Sequence, residues 1–109
     1  SISGLFDLEP ISRISFLQDD LKLTPALVNC LSPVRFAPPA EPLMVAYGAN
    51  ESEEFRRQSE LIQEAWGPLV VPQVESVAGT NHFTVLHDLV DAPQRLHQLT
   101  LELLGLPIR

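Results

Sequence analysis

The chain has 109 residues, 14 acidic against 7 basic, and a formal net charge of −7. That is one small domain's length; 45% hydrophobic residues exclude a disordered chain, and the acidity argues against nucleic-acid binding through a basic footprint. No apolar run is long enough to cross a membrane, and the single cysteine, Cys30, allows no internal disulfide and suits a reducing, cytoplasmic setting.

Ser1-Ile2-Ser3-Gly4 starts on strand-like residues, so the chain reads as beginning inside a domain, with Ile2 to Leu5 as the end of a strand. Phe6 to Leu23 mixes apolar residues with Asp7, Asp19 and Asp20 and suits a long excursion with a helical turn or two. Thr24-Pro25 opens a short helix, because Thr caps free amides and Pro lacks a donor the first turn leaves unpaired anyway. That helix carries Leu27, Val28 and Leu31 and stops before Pro33. Ser32 to Pro42, with Pro33, Pro38, Pro39 and Pro42, reads as an extended connector. Leu43 to Tyr47 is continuously apolar, the pattern of a parallel strand covered on both faces.

Glu53 to Trp66 is the best helix. Ser52 is its expected N-cap, Glu53 and Glu54 complement the positive end of the dipole, and Gly67 serves as a left-handed cap before Pro68. Phe55, Ile62, Ala65 and Trp66 share one face; Arg56, Arg57, Glu60 and Gln63 cover the other. Leu69 to Val77 is a second strand region, with Pro72 restricting pairing to its later half. A short helix over Phe83–Leu89 follows. A last one over Ala92–Leu104 is capped by Asp91, carries Leu96, Leu99 and Leu103, and ends at Gly105 and Pro107. The alternation predicts an α/β fold with a parallel sheet of about three strands. Such a sheet leaves edges bare, so it is expected to continue in polypeptide outside this single partial domain, residues 1–109.

Two residues just past the strand-like runs carry chemistry. Glu51 follows Leu43–Gly48, and His82 follows Val74–Val77 and the Gly79 turn. Parallel sheets gather functional groups beyond the carboxyl ends of their strands. A carboxylate there fixes one imidazole nitrogen and leaves the other to take a proton from a hydroxyl. Phe83 is placed to pack the ring. Acid then base is the order of the last two members of an α/β-hydrolase triad, whose first member is a Ser in G-x-S-x-G. No serine of this chain sits in that turn. Each residue has a bland reading: Glu51 as one of several helix-start acids, His82 as a surface residue at a turn. Their joint placement favours the catalytic one.

At the same residues the chain resembles the kynurenine formamidase-like α/β-hydrolases. Gly48-Ala49-Asn50-Glu51-Ser52-Glu53-Glu54-Phe55-Arg56-Arg57-Gln58-Ser59 is similar to the acid loop and following helix of that family, G-x-x-(D/E)-S-x-E-F-x-x-Q-S. Asn81-His82-Phe83 is similar to its (D/N)-H-F loop. Ser3-Gly4-Leu5-Phe6-Asp7-Leu8-Glu9-Pro10 is similar to the segment after its sixth strand, S-G-x-(Y/F)-D-L-x-P, and Leu31-Ser32-Pro33 to its L-S-P. The resemblance implies the C-terminal part of an α/β-hydrolase, with Glu51 as triad acid and His82 as triad base. The family's nucleophile elbow and H-G-G-x oxyanion loop lie upstream of the region this chain matches. The implied substrate is a small ester or an aryl-formamide, with an upstream segment or a second chain completing the sheet.

Other candidates are weaker. Cys30, within an apolar helix, reads as an inert small hydrophobe. His82 and His87 lack the i, i+4 spacing of a helical metal pair, and no other cluster completes a metal site. His97 reads as a boundary residue, and Asp7 stays open as a neighbour of the site. No cofactor is called for. The rival reading is a non-catalytic α/β binding or dimerisation module, a homo-oligomer among its forms, pairing through a bare strand edge at Ile2 or Leu43.

Overall fold

A computed structural model describes residues 1–108. The apolar run becomes strand β1 (Met44–Gly48), and the later half of the second run becomes β2 (Gln73–Val77), after Pro72 as its missing donor requires. The two pair in parallel, in register from Met44↔Gln73 to Gly48↔Val77. On the other side of β1, Ile2 forms one parallel bridge to Ala46. Ser3 N donates to Ala46 O at 2.8 Å and Ala46 N to Ser1 O at 2.9 Å. Among the described residues the sheet is therefore two strands plus a bridge, smaller than the expected three, because Ser3 turns into the left-handed region (φ 53°) immediately after the bridge. β1 is thus flanked by β2 on one side and by the Ile2 bridge at Ala46 on the other, and Leu43 N donates to Val70 O at 2.7 Å.

The continuous apolar pattern of β1 is explained by two cores. Val45 packs with Phe6, Ile62 and Val71 on one face. Ala46 packs with Val77, Val85, Leu96 and Leu99 on the other. Alternate side chains of a strand point to opposite faces, so both must be apolar when both are covered.

Helix α4, Glu53–Trp66, covers the first face with Ile62 fully buried. Its expected stripe needs correction: Ala65 is exposed, while Gln63 turns inward and donates to Val71 O at 3.0 Å. Ser52 has the extended N-cap backbone, but its hydroxyl makes no capping bond. Gly67 does adopt positive φ (83°), with an extended ψ of 164° rather than a left-handed helical one.

The excursion folds into α1 (Glu9–Ser12), α2 (Ser15–Leu21) and α3 (Pro25–Leu31), the last capped by the Thr24 hydroxyl as expected. The proline connector contains one 3₁₀ turn, Pro33–Arg35. Three polar side chains are buried here, and two of them, Gln58 and Ser32, tie this region down. Gln58 Oε1 accepts from Phe6 N and Asp7 N, both at 2.9 Å, and its Nε2 donates to Asp7 O at 2.8 Å and Glu54 Oε1 at 2.9 Å. Ser32 Oγ donates to Val28 O at 2.6 Å and accepts from Leu8 N at 2.9 Å. Ser59 Oγ donates to Phe55 O at 2.8 Å.

The C-terminal expectations shift. His82–Leu86 is a run of turns, followed by α5 (His87–Val90) and α6 (Arg95–Leu103). Asp91 does not cap α6; Asp88 Oδ2, further back, accepts from Leu96 N at 2.9 Å. Leu96 and Leu99 are buried, whereas Leu103 is half exposed. No helix among the described residues is long and apolar enough to cross a membrane.

Candidate functional site

β1 and β2 end level with one another, so the loops that leave them emerge at the same end of the sheet. They are stitched together by backbone bonds: Ala49 N donates to Val77 O and Asn50 N to Thr80 O, each at 2.9 Å. Gly48 permits this approach, since a Cβ there would lie 2.7 Å from Thr80 O and 2.9 Å from Thr80 Oγ1. Glu51 N donates to Gly48 O at 2.9 Å, closing the turn that carries the acid. After β2, Gly79 takes φ 72° and reverses the chain. Asn81 Oδ1 then accepts from Phe83 N and Thr84 N, both at 2.9 Å, which fixes the turn holding His82.

The two predicted residues meet. His82 Nδ1 lies 2.6 Å from Glu51 Oε1. The other carboxylate oxygen, Oε2, accepts from Ser3 Oγ at 2.7 Å and from Gly48 N at 2.5 Å. The Glu51 side chain is 0% exposed, whereas that of His82 is 50% exposed. Burial by itself would push the Glu51 carboxyl up. The Ser3 hydroxyl, the Gly48 amide and His82 together outweigh it and hold the group below the ordinary carboxylate range. An ionised Glu51 accepts only, so His82 Nδ1 is the donor and the imidazole is held in one tautomer.

The ring is positioned chiefly by a residue of the apolar face of α4. Phe55, on the first turn of α4, stacks on His82 with centroids 4.8 Å apart and planes 30° apart. Phe83 contacts it edge-on at 5.6 Å but is itself 82% exposed, so it supports the ring less than expected. His82 Nε2 has no hydrogen-bond partner among the described residues. An apolar cavity of about 250 Å³, lined by Leu5, Pro10, Ile11, Ile14, Leu17 and Phe55 with neighbouring α4 residues, lies beside this stack.

The remaining candidates stay outside. Asp7 is occupied by Gln58 through its backbone, and its Oδ1 accepts from Glu9 N at 3.0 Å, so it serves the start of α1. Cys30 is exposed on α3, not buried as its apolar neighbours suggested, because Leu27 and Leu31 are themselves exposed. His87 is exposed, and His97 contacts Leu89 O at 3.0 Å as a boundary residue. Glu53 and Glu54 pair with Arg56 and Arg57 one turn along α4. Among the described residues no group of three or more His, Cys, Asp or Glu side chains is placed to hold a metal ion. Two contributors, Ser3 and Phe55, escaped the reading from residue patterns. One lies far from Glu51 in the chain, and the other looks like any apolar helix residue.

The molecule is thus a parallel-sheet α/β chain with an enclosed carboxylate buttressing a half-exposed imidazole beyond the ends of adjacent strands. Its sequence is similar to two curated proteins. It is 32% identical over 114 residues to the kynurenine formamidase of Salmo salar, and 32% identical over 111 residues to that of Danio rerio. Each alignment takes in 95% of this chain, which spans 38% of the length of either relative. No protein-family model matches the chain, and no solved structure does.

Proposed function

We propose that Glu51 and His82 are the acid and base of a serine-hydrolase triad, and that this chain is the C-terminal part of an α/β-hydrolase acting on an aryl-formamide or small ester. The nucleophilic serine and the oxyanion amides come from polypeptide outside these 109 residues, either an upstream segment of the same protein or a second chain. The observation that carries this reading is the 2.6 Å contact between His82 Nδ1 and a wholly enclosed Glu51 carboxylate, with the ring half exposed. The likeness to two kynurenine formamidases over 95% of the chain supports the reaction class.

In that reaction His82 Nε2 takes the proton from the serine hydroxyl as its oxygen attacks the formyl or acyl carbonyl. Glu51 stabilises the imidazolium that forms. His82 then delivers the proton to the leaving arylamine or alcohol, and the acyl-serine remains. Water, deprotonated by the same imidazole, releases formate or the carboxylic acid and restores the serine. Phe55 keeps the ring from rotating away, and the apolar cavity beside it supplies a surface suited to an aryl group.

The test is made on the hydrolase that contains the nucleophile. It is incubated with a formylated arylamine and a matched aryl ester, and separately with a fluorophosphonate that labels activated serines. The expected result is turnover of at least one substrate and labelling of a single serine outside this chain, with the label lost in His82→Ala. Turnover that survives His82→Ala overturns the assignment.

A further inference from the structure

The Glu51 carboxylate divides its two oxygens between two tasks. Oε1 faces His82, and Oε2 faces inward, where it accepts from the Gly48 amide and the Ser3 hydroxyl. We propose that Ser3 is a positioning residue for the acid–base pair: its hydroxyl locks Oε2 so that Oε1 stays aimed at His82 Nδ1. This rests on the assignment of Glu51 and His82 as triad acid and base.

Several observations carry it. The contact is short, 2.7 Å, and spans 48 residues of sequence, so it is a product of the tertiary fold. Ser3 is tethered to the central strand, its amide donating to Ala46 O at 2.8 Å, so the donor sits on the sheet and not on a free segment. Its backbone is held at φ 53°, one of two non-glycine residues with positive φ among the described residues, Lys22 being the other. Side-chain-bearing residues resist that conformation, and a glycine would take it freely. The serine therefore contributes its hydroxyl at a position where the backbone alone favours glycine. The hydroxyl's proton is committed to Glu51, so Ser3 is not the nucleophile. A carboxylate side chain with no exposure has no water to replace a lost donor, and without Ser3 only the Gly48 amide would hold Oε2.

Two variants of the active hydrolase separate hydroxyl from backbone. Ser3→Ala removes the donor at an unfavourable φ; Ser3→Gly removes the same donor and relieves the backbone. Both are expected to lower kcat by about ten- to a hundredfold, as a lost hydrogen bond to a charged group does, with KM little changed. In both, the acid limb of log(kcat/KM) moves to higher pH, because a carboxylate that has lost a donor pulls harder on the proton it shares with His82 Nδ1 and so favours the protonated form of the pair. Ser3→Gly keeps the question decidable if Ser3→Ala folds poorly. Wild-type kcat and pH profile in Ser3→Gly overturn the proposal and reduce Ser3 to a turn residue. Glu51→Gln run alongside separates the two failures. If it retains wild-type activity, the triad reading falls and this inference with it. If it is inactive while Ser3→Gly is normal, only the role of Ser3 falls.

Discussion

Two polar clusters lie close together in the sequence, one in the loop just before α4 and one centred on its second turn, and they differ in one respect. Around Gln58, Ser59 and Ser32 the side chains are buried and their bonding capacity is spent on the backbone of the excursion and on neighbouring carbonyls. Around Glu51 the carboxylate is equally enclosed and satisfied, yet its partner His82 is half exposed, with one ring nitrogen unengaged among the described residues. A network that closes on itself can only hold structure. One that ends at an exposed imidazole can hold a proton in transit. The segment Gly48 to Ser59 carries both, which is why one run of sequence resembles a catalytic loop and a structural helix together.

Variants can break that contrast, beginning with the largest expected effect. His82→Ala in the active hydrolase should lower kcat by on the order of 10⁶-fold, with the thermal midpoint nearly unchanged because the ring is half exposed. A loss under tenfold in steady-state turnover would remove His82 from the mechanism. Glu51→Gln should cost about 10⁴-fold, since a neutral amide no longer stabilises the imidazolium or enforces the tautomer.

On the structural side, Gln58→Ala should destabilise the fold by about 2–4 kcal/mol, leaving the Phe6 and Asp7 amides without their acceptor and opening a cavity. Chemical denaturation measures it, and a change under 0.5 kcal/mol would show that water or a rearranged loop replaces the amide. Activity per folded molecule should fall far less than in Glu51→Gln, and an equal fall would erase the distinction between the clusters.

A pH titration of stability gives a smaller signal. The folded carboxyl of Glu51 lies below its unfolded value, so the unfolded chain binds more protons in the window between them and stability rises with pH there. The contribution is complete above the unfolded value, about 4.3, and is lost as pH falls through the lower folded value. Denaturant midpoints measured from pH 6 downward should therefore drop more steeply in the wild type than in Glu51→Gln. Parallel curves would show that Glu51 is not the group responsible. The smallest effect belongs to Phe83→Ala: with the ring 82% exposed, stability should change by roughly 0.5 kcal/mol or less. Phe55→Ala, which removes the stacked ring, should lower activity more, and the reverse order would reassign the support of His82.

Much of this was legible along the chain. The both-faces-apolar run from Leu43, the Thr24 cap, the long helix from Glu53 and the placement of Glu51 and His82 beyond two strands all follow from local rules of periodicity, capping and strand burial. Those rules act between residues close in sequence, so a sequence states them directly. What the sequence stated poorly were the ends of elements and the roles set by distant partners: the short α5 and the later start of α6, the inward turn of Gln63, the exposure of Cys30, and Asp88 in place of Asp91. Each turns on a competition between nearby groups that only packing resolves.

The sequence by itself determined an acidic α/β chain whose acid and histidine follow successive parallel strands. Only the tertiary structure decided that they touch, that Phe55 holds the ring, and that Ser3 supplies a donor to the carboxylate from 48 residues away. The physical reason is range. Helix and strand preferences are written residue by residue, but a buried carboxylate's partners are chosen by which loops the sheet brings to one end, and no local pattern records that.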